Sequence, residues 1–295
     1  MVDGDVSALV IVNPTAGGDP SGIVETLSNR KGLALRVVQP SSAADAERVA
    51  RDIDGGDRPD VVIAVGGDGT AGRVCAGLAR AGVRVPLLVA PGGTGNSSYR
   101  GLCDDRPWPE IVAALADRRL ARCAIDLAAI EELDRTVLLG TTTGLLPATL
   151  AIARELPGSG RDLLSAATMA ALDSHKPYPV RVFVDEVLTY EDHLLGTYIG
   201  GMRHRGGRFE MLPESLLDDG LLDICLLTGN SAPQYARGRT IRVERTDGEP
   251  LRIEYDGELD SLGGSYTVSV LPAALSALVP TPLPAGIQGS ELLTT

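Results

Sequence analysis

Two stretches of this chain carry a short apolar run straight into a cluster of glycines: VVIAVGGDGT at 61–70 and VPLLVAPGGTGN at 85–96. Runs of Val, Ile and Leu of this length read as buried strands. Glycine is costly in backbone entropy, so a loop that spends several of them at the end of a core strand has a steric or functional reason to do so. The rest of the first 127 residues keeps the same rhythm. Strands are expected at 8–13, 33–38, 61–65 and 85–90, and helices at 42–53, 70–81 and 109–117, with Ser41 or Ser42 as N-cap of the first helix. Alternation of this kind implies a parallel sheet covered on both faces.

From about 135 to 271 the pattern changes to short strands, at 136–141, 180–184, 194–200, 222–227, 240–244, 251–255 and 267–271. A mostly helical stretch at 145–172 interrupts them, with a break at Pro157-Gly158-Ser159-Gly160. Many short strands separated by turns predict a sandwich. The expected fold class is α/β plus β: an N-terminal parallel α/β nucleotide-binding domain and a C-terminal β-sandwich domain, with the active site in the cleft. The tail after Pro280 is expected to loosen at its end.

Composition narrows the partners. With 295 residues, 44% of them hydrophobic, the chain can build one large core or two ordinary ones. A net charge of −12 argues against nucleic acid and gives no support for docking on anionic lipid through a basic patch, so membrane contact is expected to be transient at most. Cys75, Cys103, Cys123 and Cys225 lack CxxC spacing and read as buried free thiols, while His175, His193 and His204 lack ligand spacing. No signal-peptide pattern opens the sequence and no apolar run approaches a membrane span, so a cytoplasmic location is expected.

Ligands of parallel sheets bind beyond the carboxyl ends of the strands. The loops Gly66-Gly67-Asp68-Gly69-Thr70 and Pro91-Gly92-Gly93-Thr94-Gly95-Asn96 are expected at two such ends. Glycine lets main-chain amides approach a phosphate, and the N-terminus of the helix that follows favours an anion. Thr70, Thr94 and Asn96 add neutral donors. Asp68 is the anomaly, because a bare carboxylate repels a polyphosphate. It makes sense with Mg²⁺ between the two, or as a holder of ribose or loop hydroxyls, or simply as a turn residue. GxxxxGK[ST] is absent, and the first turn, Asn13-Pro14-Thr15-Ala16-Gly17-Gly18, is not GxGxxG.

Five segments in order resemble the diacylglycerol kinase catalytic domain, a superfamily that also holds sphingosine and ceramide kinases and soluble bacterial lipid kinases. They are Asn13-Pro14 with Gly17-Gly18, GGDGT at 66–70, PGGTGN at 91–96, Pro213 with LLDDGLLDICLL at 216–227, and IEYDGELD at 253–260. The resemblance implies an ATP-binding domain at 1–127 joined by 272–295, and an acceptor-binding sandwich at 128–271. It implies ATP and Mg²⁺ as cofactors, with Asn13, Pro14, Gly66, Gly67, Asp68, Gly69, Thr70, Gly93, Thr94, Gly95 and Asn96 around the nucleotide. It makes Asp256 the general base with Glu258 beside it and Asp68 as a further catalytic acid. Asp218, Asp219 and Asp223 become a metal site, and Asp126 an acid at the domain junction. Phosphoryl transfer asks for such parts: positioning, a cation and a weak base at the attacking oxygen. Plainer readings stand beside these, since Asp256-Gly257 is also a common hairpin turn and Asp218-Asp219-Gly220 an ordinary exposed one.

The chain departs from the family pattern at several places. Gly72-Arg73 stand where the family has an Asn-Glu pair, Ser97 replaces an acid, Gly18 replaces a lysine, and Gly200-Gly201 follow Ile199 without the family's Asn. Arg73 could replace the lysine as a phosphate ligand or be a solvated helix residue. Arg203, His204, Arg205 and Arg208 could grip an anion or line the wet face of a strand, and 163–172 could wall an apolar acceptor pocket or pack the core. Three functions therefore stay open: a kinase of a lipid or lipid-like alcohol, a kinase of a soluble biosynthetic alcohol, and a catalytically inactive nucleotide- or ligand-binding homologue. A homodimer through a sandwich edge strand is also open. Both kinase readings require Asp256 to share a crevice with 66–70.

Overall fold

A computed structural model describes residues 4–53, 58–82, 84–157, 160–206, 209–229 and 232–289. The first half runs β1 (Val6–Val12), α1 (Pro20–Ser28), β2 (Leu33–Val38), α2 (Ala43–Arg51), β3 (Val61–Gly66), α3 (Asp68–Ala81), β4 (Leu87–Pro91), α4 (Ser97–Cys103) and α5 (Trp108–Ala116). β1 pairs in parallel with β2 and β3, and β3 pairs in parallel with β4. β3 is buried along its whole length and β1 and β4 nearly so, as strands covered on both faces must be. Ser42 does cap α2, accepting from the Asp45 amide at 3.1 Å. α1 has the same logic, with Asp19 as N-cap and Pro20 in its first turn.

The second half runs β5 (Ala121–Ile130), β6 (Arg135–Val137), β7 (Thr141–Gly144), α6 (Leu145–Glu155), α7 (Gly160–Ser174), β8 (Tyr178–Val184), β9 (Val187–Leu194) and β10 (Gly196–Gly200). It continues with β11 (His204–Arg205), β12 (Phe209–Glu210), β13 (Leu222–Leu227), β14 (Gln234–Gly238), β15 (Thr240–Arg245), β16 (Leu251–Tyr255), β17 (Glu258–Leu262) and β18 (Ser265–Val279). Six strands make an antiparallel sheet in the order β14-β13-β10-β7-β16-β17. The other large sheet is mixed, in the order β2-β1-β3-β4-β18-β15-β8-β9, with β5 and β6 added on β18. Ile199, Ile224 and Ile253 of the antiparallel sheet share one core with Val180, Val182, Ile241 and Val243 of the mixed sheet. The α/β plus β fold class holds.

The expected strand at 267–271 is only part of β18, which is fifteen residues long. β18 runs antiparallel to β5 from Val268 opposite Ile130 to Val279 opposite Ala121, and meets β4 where Ala277 faces Leu87. Its register shifts between Leu271 and Leu275, where Ala273 has a φ of +51°. Asp126 splints this irregularity, accepting from the Ala273 amide at 2.8 Å and from the Gly220 amide at 2.6 Å. Pro272 made the strand look finished; an acid from the neighbouring strand lets it continue.

The expected strand at 136–141 is two strands, β6 and β7, with 138–140 between them. Gly140 has a φ of +120°, and a Cβ there would lie 2.1 Å from the Ile199 carbonyl oxygen. Of the break expected at 157–160, Gly158 and Ser159 lie outside the described residues, as does Arg208. The tail is tied down as far as 289: Ile287 is buried, and the amides of Gln288 and Gly289 donate to Asp218. All four cysteines are buried and free. No helix among the described residues is long and apolar enough to cross a membrane.

Candidate active site

The glycine loops at the ends of β3 and β4 press against each other. A Cβ on Gly93 would lie 2.2 Å from the Gly67 Cα, and one on Gly92 would lie 2.8 Å from the Gly66 nitrogen. The turn after β1 joins them, with the Gly18 amide donating to the Gly92 carbonyl at 3.1 Å. A Cβ on Gly18 would stand 2.7 Å from that oxygen, so this packing has no space for a lysine. Glycine is needed here first for backbone-to-backbone approach between three loops. Asn13 closes its own turn by accepting from the Thr15 amide and hydroxyl at 3.1 and 2.9 Å, and its amide nitrogen reaches Thr70 at 3.4 Å.

Asp68 belongs to this stitching. It opens α3, and its carboxylate turns to the start of α4. Oδ1 accepts from the Ser98 amide at 2.9 Å and hydroxyl at 2.8 Å, and Oδ2 accepts from the Ser97 amide at 3.1 Å. Of the readings the sequence allowed, the holder of loop groups is the one this geometry fits. Ser97 is buried, so an acid in its place would put a second carboxylate beside Asp68. Asn96, at a φ of +55°, also serves its own loop, accepting from the Gly93 amide at 2.8 Å and donating to the Pro91 and Gly93 carbonyls.

A cleft of about 630 Å³ opens beside these loops, within the range of small-molecule sites. Asn13, Pro14, Gly67, Gly69, Thr70, Gly93 and Thr94 line it, whereas Gly66, Asp68, Gly95 and Asn96 do not. The sequence reading missed Thr15, Ala16 and Gly17 on one wall and Pro40, Ser41 and Ser42 on another. The signal for the second wall was available, because a Ser-Ser helix cap following a parallel strand lies at the same sheet edge. Asp256, Gly257 and Glu258 close the cleft from the second half.

Asp256 reaches this place through a hairpin turn. Tyr255 pairs with Glu258, so Asp256-Gly257 is a two-residue loop, with φ of +44° and +87°. The hairpin reading holds, and the same turn carries Asp256 to the cleft. A Cβ on Gly72 would lie 2.4 Å from the Asp256 Oδ2, and one on Gly69 would lie 3.1 Å from the Asp256 carbonyl oxygen. Gly72, one of the departures from the family pattern, is therefore the surface on which the acid rests. The carboxylate accepts from the Leu138 amide at 2.9 Å and the Leu139 amide at 2.8 Å, both freed by the break between β6 and β7. Burial pushes the Asp256 carboxyl up to about 6, while the two amides and the Arg205 guanidinium pull it down.

Arg73 stands on the cleft wall with its guanidinium engaged by two acids. Its guanidinium donates to Glu258 through Nε at 2.7 Å and through Nη2, and to Glu47 through Nη1 at 2.9 Å. It links α2, α3 and β17, and Arg80 and Arg135 each stand 3.7 Å from the same Glu47. Arg205 is buried against Glu254, so it is neither on a wet strand face nor in the cleft. Arg203 lies 3.7 Å from Glu210 and His204 is half-buried. On α7, Ala167 and Ala171 are buried, but Met169 is 62% exposed and Leu172 46%, so the apolar stretch 163–172 is partly surface.

Asp218, Asp219 and Asp223, the acids expected at a metal, engage protein groups. Asp218 accepts from the amides of Gln288 and Gly289, while Asp219 and Asp223 face Arg237 at 2.7 and 3.2 Å. Among the described residues no group of three or more His, Cys, Asp or Glu is arranged to hold a metal. A guanidinium and main-chain amides already take these charges.

Residues 7–126 match the family model of the Diacylglycerol kinase catalytic domain. A protein of Klebsiella pneumoniae (strain 342) named "Probable lipid kinase YegS-like" is 27% identical over 247 residues, covering 76% of this chain and 80% of its own. A Salmonella heidelberg (strain SL476) protein named "Probable lipid kinase YegS" is 25% identical over 307 residues, covering 96% and 99%. The crystal structure of a diacylglycerol kinase from Bacillus anthracis str. Sterne superposes with a TM-score of 0.71 at 22% identity, over 94% of this chain and 97% of that one.

Proposed function

We propose that this chain, a member of the diacylglycerol kinase catalytic-domain family, is an ATP-dependent kinase that phosphorylates a hydroxyl of a lipid or lipid-like small molecule. The observation that carries the proposal is the position of Asp256: a buried acid from the second half rests on α3 and faces the same cleft as the glycine loops. Asp256 shares this crevice with Gly67, Gly69 and Thr70, which supports the reading.

In the proposed reaction the acceptor hydroxyl attacks the γ-phosphorus, the bond to the β-phosphate oxygen breaks, and ADP leaves with that electron pair. Asp256 takes the hydroxyl proton. A carboxyl titrating near 6 is ionised at neutral pH yet basic enough for this task, and two amides fix its direction. Gly67, Gly69, Thr70, Gly93 and Thr94, with Thr15, offer neutral donors to the triphosphate, at the N-terminal end of α3. The cleft wall has one arginine among the described residues, Arg73, and two glutamates engage it. Mg²⁺ fits as an ion carried on the nucleotide, held mainly by phosphate oxygens and water, where it would neutralise developing charge. Asp68 acts as the tie between the two loops, and Glu258 as the anchor of Arg73. The proposed division is an ATP-binding part at 1–127 with 272–295 and an acceptor-binding part at 128–271. Buried free thiols fit a reducing, cytoplasmic setting.

Radiolabelled ATP with Mg²⁺, offered with lipid and soluble alcohols in parallel, tests the proposal. Label in a lipid supports it; label only in a soluble alcohol moves it to the second kinase reading. Calorimetric binding of ATP·Mg²⁺ without transfer to any acceptor favours an inactive homologue, and no binding removes both kinase readings. Asp256→Asn should cut turnover by about 100-fold or more with ATP affinity nearly unchanged. Full turnover in that variant refutes the base assignment.

A further inference from the structure

Directly behind the Asp256 turn lies a buried ion pair that the proposed chemistry does not use. Arg205 of β11 meets Glu254 of β16, with side chains only 8% and 6% exposed. Glu254 Oε1 also accepts from the Gly257 amide at 2.7 Å, the residue next to Asp256, and Oε2 accepts from the Thr142 hydroxyl at 2.9 Å. On its other side the Arg205 guanidinium stands 5.8 Å from the centre of the Tyr198 ring. The Tyr198 hydroxyl lies 2.8 Å from the carbonyl oxygens of Leu139 and Met202, which share its one proton. Leu139 supplies one of the two amides that hold Asp256. The pair therefore touches the turn that carries the acid directly, and reaches Leu139, whose amide binds the acid, through Tyr198.

Stability alone does not account for these charges. Two ions taken out of water lose much of their solvation, and an apolar pair of similar volume is often as stable. An apolar pair would leave the Gly257 amide without its charged acceptor. A lone Glu254 would place a second anion two residues from Asp256.

We propose that Arg205 and Glu254 are positioning residues for Asp256: Glu254 fixes the Asp256-Gly257 turn, and Arg205 offsets the Glu254 charge behind it. The importance of this for catalysis rests on Asp256 being the base; the geometry does not. From α3, the buried Cys75 thiol faces Asp256 with its pKa pushed well up by burial, and the Tyr198 hydroxyl of β10 is likewise pushed up. Both stay neutral near pH 7. Arg73 and Glu258, at the mouth, bind each other, and Arg135 of β6 lies in the same small cavity. Arg205 and Glu254 are thus the fixed charges behind the acid.

The test is a carboxyl titration of Asp256 in the whole chain by ¹³C NMR, with the signal assigned by its loss in Asp256→Asn. Arg205→Met should raise the midpoint by about one unit or more, and Glu254→Gln should lower it. The double variant should return to within about half a unit of the wild type. Midpoints that stay put in both single variants, or move in the same direction, overturn the proposal. If a single variant fails to fold, the double variant, which leaves no buried charge unpaired, is read by amide hydrogen exchange. Exchange at Leu139 and Gly257 should then quicken about tenfold or more while Val62 is unchanged; unchanged exchange at all three overturns the proposal. None of this needs turnover. Where turnover is measured, a midpoint that moves without moving the acid limb of kcat/KM leaves the positioning role standing and refutes the base.

Discussion

At the scale of single residues, the site depends on contacts too close for substitution. Gly72→Ala should push Asp256 off its two amides, since the added carbon would lie 2.4 Å from its carboxylate. Turnover should fall by about tenfold or more with ATP binding retained, as measured by initial rates and calorimetry. Asp256 also gives a pH signature. Its folded-state pKa of about 6 lies above the usual carboxylate value, so the folded form holds the proton more tightly. Its contribution to stability is therefore fullest below about pH 4 and is lost as pH rises through 6, a change of about 3 kcal/mol for a two-unit shift. Urea unfolding at pH 4 and pH 7 should show the wild type losing stability relative to Asp256→Asn by roughly that amount. The GGDGT and DGE strings made Asp256 and the loops visible in sequence. Gly72 looked like a loss there, because nothing in one dimension shows that residue 256 rests on residue 72.

At the scale of elements, irregular places do the positioning. The break between β6 and β7 frees the Leu138 and Leu139 amides, and the Asp126 splint lets β18 continue past Pro272. Asp68 ties the first turn of α3 to that of α4 through three hydrogen bonds. Asp68→Ala leaves the Ser97 and Ser98 amides without that acceptor, and should cost about 1–3 kcal/mol of stability by denaturant titration. It should also widen the gap between the loops and weaken ATP binding. A variant with unchanged stability would mean the cap carries no weight. Strand breaks and splints escaped the sequence reading because a pattern of apolar residues does not change when two backbone groups turn aside.

At the scale of the whole molecule, the two halves share one piece of sheet. β5 and β18 pair from Val268 opposite Ile130 to Val279 opposite Ala121, and β18 meets both β15 and β4. Arg73 adds a link from α3 to Glu258 on β17. Calorimetry should therefore show one unfolding transition with matching calorimetric and van't Hoff enthalpies, although the described residues form two large core clusters and a small third one. Two resolved transitions would mean that the shared strands do not couple the halves.

The family resemblance implied an acid opposite the glycine loops; the sequence by itself determined the parallel sheet, the antiparallel second half and the two loops. Those features follow from local rules: apolar periodicity, helix caps, turn residues and the strand ends where loops must fall. Only the tertiary structure decided what each charge faces. Asp68 holds α4, Arg73 holds two glutamates, Asp219 and Asp223 hold Arg237, and Glu254 holds Arg205 under the Asp256 turn. A charge takes its partner from whatever folding brings within a few ångströms, and the residues that meet here are as many as 185 positions apart in the chain.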